Sequence, residues 1–259
     1  MNVLPTLPLL AGYLPLLRAL GANRRTTLRP AIIWLIAAWT AAVASAVWSD
    51  SRTAPYLALS PGACAGVAVL GARRPGVGAW NFVVGGLLVV LLLPVASGFG
   101  TPRLEPAHVV FLSATLAVVL LNYLPTRTGA GVPLAVVAVT VEIARLAGID
   151  VPSQARTIGM IALALAPWIA WLALSRKRPS CEVDRVWLGF RDGFGFLWAE
   201  RVREQFNRSL ASAGRSARLG WNGLRSSAED QDVALQTLQA LLRRFGPPAN
   251  DASGQNSAN

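Results

Sequence analysis

The sequence predicts an all-α membrane protein, a bundle of about six transmembrane helices with both termini in the cytoplasm and a C-terminal cytoplasmic helical segment. Three observations predict it. Hydrophobic residues make up 53% of the 259 and charged residues only 14%, with a mean hydropathy of +0.45. Apolar runs of membrane-crossing length recur along the chain, and the arginines between them alternate in density.

The hydrocarbon layer is about 30 Å thick and a helix rises about 1.5 Å per residue, so a span needs roughly 17 to 25 apolar residues. Five runs satisfy this with no Asp, Glu, Lys or Arg: 30–48, 54–72, 77–98, 107–124 and 157–175. A sixth, 132–148, carries Glu142 and Arg145 and is counted as spanning because the charge pattern needs it. With six spans the loops alternate sides. One side then holds Arg18, Arg24, Arg25, Arg29, Arg73, Arg74, Arg127, Arg176, Lys177 and Arg178 and no acid. The other holds Arg52, Arg103 and Arg156 beside Asp50, Glu105 and Asp150. Basic loops stay in the cytoplasm, which gives the six-helix domain 30–178 its orientation. The basic set is 23 Arg and one Lys, a bias of GC-rich coding that is a clue to a bacterial source only, and the expected location is the bacterial inner membrane.

Residues 1–29 are rich in leucine but interrupted by Pro5, Pro8 and Pro15 and closed by Arg18, too short a stretch for an ordinary span. They are expected to form an interfacial or re-entrant segment, with a seventh span as the other reading. The connections between spans are short, so consecutive helices pack as antiparallel neighbours.

Residues 179–246 are expected to form cytoplasmic amphipathic helices. Val183, Trp187, Phe190, Phe194, Trp198, Val202, Phe206 and Leu210 recur at steps of three and four, one stripe of a helix. Gly193 and Gly195 should bend or split it, and RDGFG at 191–195 reads as a turn. A second helix is expected from Ala228 to Phe245, opened by a capping box of Ser227 and Asp230 and stopped by Gly246-Pro247-Pro248. The small polar tail 247–259 has nothing to bury and is expected to be disordered.

Two constellations stand out as candidate sites. Glu142, ten residues into its run, is placed near the bilayer midplane, with Arg145 on the same face and Asn122 and Asn81 as polar lining if their helices adjoin. Such a group reads either as an ion or substrate path or as a structural clamp between helices. The second is the face of Trp187, Phe190, Phe194 and Trp198, a surface for the membrane, for a protein partner or for packing within the chain. Gly62 with Gly66, and Gly76 with Gly78 and Ala79, read as helix packing positions, and Pro61, Pro94, Pro133 and Pro167 as ordinary membrane prolines or as breaks in transporter helices.

Cys64 and Cys181 fall in different environments, and no metal cluster, cofactor motif or soluble-enzyme motif is present in the sequence. The net charge of +11 is explained by topology better than by nucleic-acid binding. The expected function is that of a noncatalytic scaffold or accessory subunit of a membrane complex. A small-solute or ion transporter using Glu142 is the alternative, and a membrane-embedded enzyme the third.

Overall fold

The computed structural model describes residues 3–48, 52–96, 103–176, 179–225 and 230–246. The polar tail 247–259, Lys177, Arg178 and Ser227 of the expected capping box lie outside them. The described chain is mostly helical. It runs α1 (Val3–Ala11), α2 (Tyr13–Ala22), α3 (Arg29–Val47), α4 (Thr53–Leu70), α5 (Val77–Ala96), α6 (Pro106–Tyr123), α7 (Val132–Leu146), α8 (Ser153–Arg176) and α9 (Glu182–Ser212). A two-stranded antiparallel hairpin, β1 (Arg218–Gly220) and β2 (Gly223–Arg225), follows, with Leu219 opposite Leu224, and then α10 (Gln231–Leu242).

Five helices, α3, α4, α5, α6 and α8, are long and apolar enough to cross a membrane. The sixth expected span, α7, has 15 residues. At about 1.5 Å per residue it is roughly 22 Å long, short of the hydrocarbon thickness. Its start is fixed by a 3-10 turn at Thr128–Ala130 and by Pro133 in its first turn. Pro61, Pro94 and Pro167 lie inside continuous helices and break none of them.

The bundle is organised around α4, which packs on α3, α5 and α6. Small residues allow the approach: Gly62 faces Ala38 of α3, and Gly66 faces Thr115 and Val119 of α6. By contrast α5 buries only Val84 and Leu91 among its described residues and leaves Phe82 85% exposed. The N-terminal pair α1 and α2 packs against α3 and α8. The indole of Trp39 donates to the Leu9 carbonyl (2.9 Å) and the Tyr13 hydroxyl to Thr40 (2.7 Å), so this segment runs beside the middle of α3 rather than only across its end.

Residues 179–246 form a cap over one end of the bundle. The predicted stripe of α9, from Val183 to Leu210, is buried throughout. It packs against Ala234, Leu238 and Phe245 from the α10 region, Leu219 from the hairpin, and Leu28 and Val69 at the ends of membrane helices. Asn207 holds the hairpin on α9 by giving to the Leu219 carbonyl (3.1 Å) and accepting from its amide (2.8 Å). The break expected in α9 falls at Gly195, whose φ of 79° lies in the left-handed region that favours glycine. The remainder of RDGFG is helical rather than a turn, with Arg191, Asp192 and Phe194 buried. The second cap helix is shorter than expected, and the Asp230 carboxylate accepts from Arg215 (3.1 Å) without capping it.

Candidate functional site

The Glu142 constellation is assembled differently from the expectation. α7 ends at Leu146, four residues after Glu142, so the carboxylate sits about one turn from the C-terminal end of the helix. Arg145, three residues on and therefore on the same face, donates from Nε to Glu142 Oε2 (2.9 Å). α8 starts at Ser153, which brings Arg156 into its first turn, where Nε reaches Glu142 Oε1 (3.4 Å). One carboxylate thus ties together two helices that a short turn has just reversed. The same end of the bundle is pinned by the Leu104 amide donating to the Leu146 carbonyl (3.0 Å) and by Arg103 donating to Ala147 (3.3 Å).

Asn122 and Asn81 do not join this group. Asn122 lies at the far end of α6, next to the cap, and Asn81 in the first turns of α5 at that same end. Helix lengths separate both from Glu142, so the expected polar lining is not formed.

Asn122 has a different task, which arises from the break in α9. A left-handed residue inside a helix interrupts the ladder of backbone bonds and strands an amide and a carbonyl. Asn122 Oδ1 accepts from the Leu197 amide (2.9 Å) and Nδ2 donates to the Phe194 carbonyl (3.4 Å), so one side chain satisfies both strands of the gap. The Tyr123 hydroxyl adds a bond to the Gly193 carbonyl (3.0 Å).

Just before the break lies the most buried ion pair described, Arg191 at 3% and Asp192 at 4% exposure. Asp192 accepts from Arg191 through Nε (3.0 Å) and Nη2 (2.8 Å), and from Arg127 through Nε (2.5 Å) and the backbone amide (3.1 Å). Arg191 Nη1 gives to the Trp221 carbonyl (2.7 Å), and the Trp221 indole gives in turn to the Pro125 carbonyl (2.8 Å). The loop between α6 and α7, the α9 break and the hairpin are therefore fastened at one point. A buried carboxylate between two guanidiniums is tolerable because its oxygens are multiply bonded.

Trp187, Phe190, Phe194 and Trp198 are all buried by the chain itself, at 0 to 8% exposure. Phe190 stacks on Phe194 with centroids 4.8 Å apart, and Phe245 meets Phe190, Phe194 and Trp198 edge-on at 4.9 to 5.3 Å. The Trp198 indole donates to the Val69 carbonyl at the end of α4 (3.0 Å). This face is the hydrophobic core of the cap, covered from within, and it is not open to a partner or to lipid.

Arg127, Arg156, Asp192 and Trp221 were outside the expected sites. The glycine pair flagged the break, but nothing local named Asn122 as its partner 73 residues earlier. Among the described residues no group of His, Cys, Asp and Glu is placed to hold a metal ion. No protein-family model matches the chain, and no curated protein or solved structure is similar to it.

Proposed function

We propose that this multi-pass membrane protein is a noncatalytic scaffold or accessory subunit of a bacterial inner-membrane complex, with six crossings and its cap in the cytoplasm. α7 makes the sixth crossing in this reading, with the bilayer thinned locally to meet it. Arginine asymmetry supports the orientation, because the loops at 23–28, 71–76 and 124–131 that it assigns to the cytoplasm are those bonded to the cap.

The observation that carries the noncatalytic reading is the engagement of Glu142. Both of its oxygens are held by arginines at a helix hairpin, which is the work of a clamp rather than of a carboxylate exchanging protons or ions along a path. The cap fits a platform: it is fixed to three loops, the aromatic stripe of α9 is buried in its own core, and its outward side carries the paired charges of Glu182, Arg185, Glu204 and Arg208. The surfaces of α5 and α6 that this chain leaves uncovered suit lipid or a neighbouring subunit.

Crosslinking in native membranes, mild-detergent purification and mass spectrometry test the proposal. A stoichiometric protein partner recovered reproducibly is expected. Proton- or ion-dependent uptake into vesicles containing the purified chain, abolished by Glu142→Gln, would replace it with a transporter.

A further inference from the structure

The chain contains three Arg-Arg dipeptides, Arg24-Arg25, Arg73-Arg74 and Arg243-Arg244, dispersed over 220 residues of sequence. The fold brings all three together. The Thr27 amide donates to the Phe245 carbonyl (3.0 Å), the Thr27 hydroxyl to the Ala72 carbonyl (2.7 Å), and the Arg74 amide to the Arg244 carbonyl (2.9 Å). Each dipeptide adjoins or shares a residue of this knot, or lies within three positions of it. Arg29, the first residue of α3, adds a seventh guanidinium.

None of these seven arginines belongs to an ion pair found among the described residues, where eight others are paired and seven more, spread singly over the chain, are not. The segments that carry them, 23–29, 71–76 and 243–246, contain no Asp or Glu. Arg24, Arg25, Arg29, Arg243 and Arg244 are exposed and Arg73 and Arg74 half-buried. Gathering seven like charges without a counter-charge is unfavourable unless an anion lies among them. Phe245, buried among Phe190, Phe194 and Trp198, anchors the third pair against the other two, so the gathering is imposed by the core of the cap.

The position of the cluster says which anion. Arg29 opens α3, Arg73 follows the end of α4 by three residues, and α5 begins at Val77, so these charges lie at the ends of three apolar helices. Trp80, in the first turn of α5, gives its indole N–H to the Val67 carbonyl (3.0 Å), the setting of an interfacial tryptophan. Phospholipid phosphates occupy that level, and guanidinium pairs bind phosphate through forked hydrogen bonds.

We propose that the seven arginines form a binding site for the headgroups of acidic phospholipids, completed by Arg243 and Arg244 when the cap docks. The site rests on the reading that α3, α4 and α5 cross the bilayer, and it requires no protein partner.

The test uses the full chain in nanodiscs of phosphatidylcholine with a minor fraction of cardiolipin, extracted into mild detergent and weighed by native mass spectrometry. Wild type should retain cardiolipin in preference to phosphatidylcholine. R24Q/R25Q/R243Q/R244Q, all at exposed positions, should lose that preference by roughly tenfold or more, as removal of four surface charges implies. R185Q/R208Q, with the same chemistry on the outward side of the cap, should keep it. Equal retention by the two variants would overturn the site, as would displacement of cardiolipin by inorganic phosphate or by a duplex oligonucleotide at physiological salt. The readout is independent of a protein partner, so failure of the scaffold reading leaves it standing, and its own failure leaves the scaffold.

Discussion

The side-chain amide of Asn122 occupies the space that a Cβ on Gly195 would take. A long apolar helix thereby supports an interruption in a helix of the cap, and the two positions stand or fall together. Gly195→Ala would force an alanine into φ near 79° and push against the amide, at a cost of about 1–3 kcal/mol for the backbone alone. Asn122→Ala would strand the Leu197 amide and the Phe194 carbonyl, with a comparable penalty of about 1–3 kcal/mol for each buried group left unbonded. Thermal unfolding in detergent, followed by tryptophan fluorescence, should show both losses, and the double variant should lose less than their sum.

Asp192 holds two arginines, and its removal leaves the buried Arg191 guanidinium without the counter-charge described beside it. Asp192→Asn should destabilise the docked cap by about 3–5 kcal/mol, and limited proteolysis should then cut between α8 and α9 much faster than in wild type. A cap that stays equally protected would show that Arg191 is satisfied by other groups.

Phe245 is the ring on which the three aromatic residues of α9 converge. Phe245→Ala should cost about 3–5 kcal/mol, as for other buried phenylalanines, and should raise amide hydrogen exchange at Thr27 and Arg74 by freeing their carbonyl acceptors. Exchange unchanged at those two amides would mean that the backbone knot holds without the ring.

Glu142→Gln should weaken the α7–α8 hairpin by roughly 1–3 kcal/mol, because it removes the charge from two hydrogen-bonded pairs. Arg156→Gln should do part of the same damage, and the two losses should be non-additive in a double-mutant cycle. Additive losses would place the energy of the hairpin in its packing.

Hydropathy located the membrane helices to within a few residues because the penalty for unpaired polar backbone in lipid makes long apolar helices unavoidable. It missed the first turn of α8, where Ser153, Gln154 and Arg156 are polar yet helical, and with it the partner of Glu142. The run also overstated the length of α7, which stops at Leu146, four residues after Glu142, so the carboxylate lies closer to the helix end than the run implied. Periodicity identified the buried stripe of α9 correctly and left its covering open. A repeat at three and four residues names a face that must be hidden, but Leu28, Val69 and Phe245 come to it from sequence distances that no local pattern encodes. The Asn122 and Asp192 junctions were illegible for the same reason, since each satisfies a demand created by a distant segment.

The bond from Thr27 to Phe245 joins positions 218 apart in the chain. During synthesis the loops after α2 and α4 emerge long before the segment that will cover them, so each inserted helix must wait with an open end until α10 is made. The cap is thus a closure step in biogenesis. A chain interrupted after α8 would present uncovered Leu28 and Val69 and a bare cluster of arginines, a surface that quality-control proteases could recognise as an unfinished product.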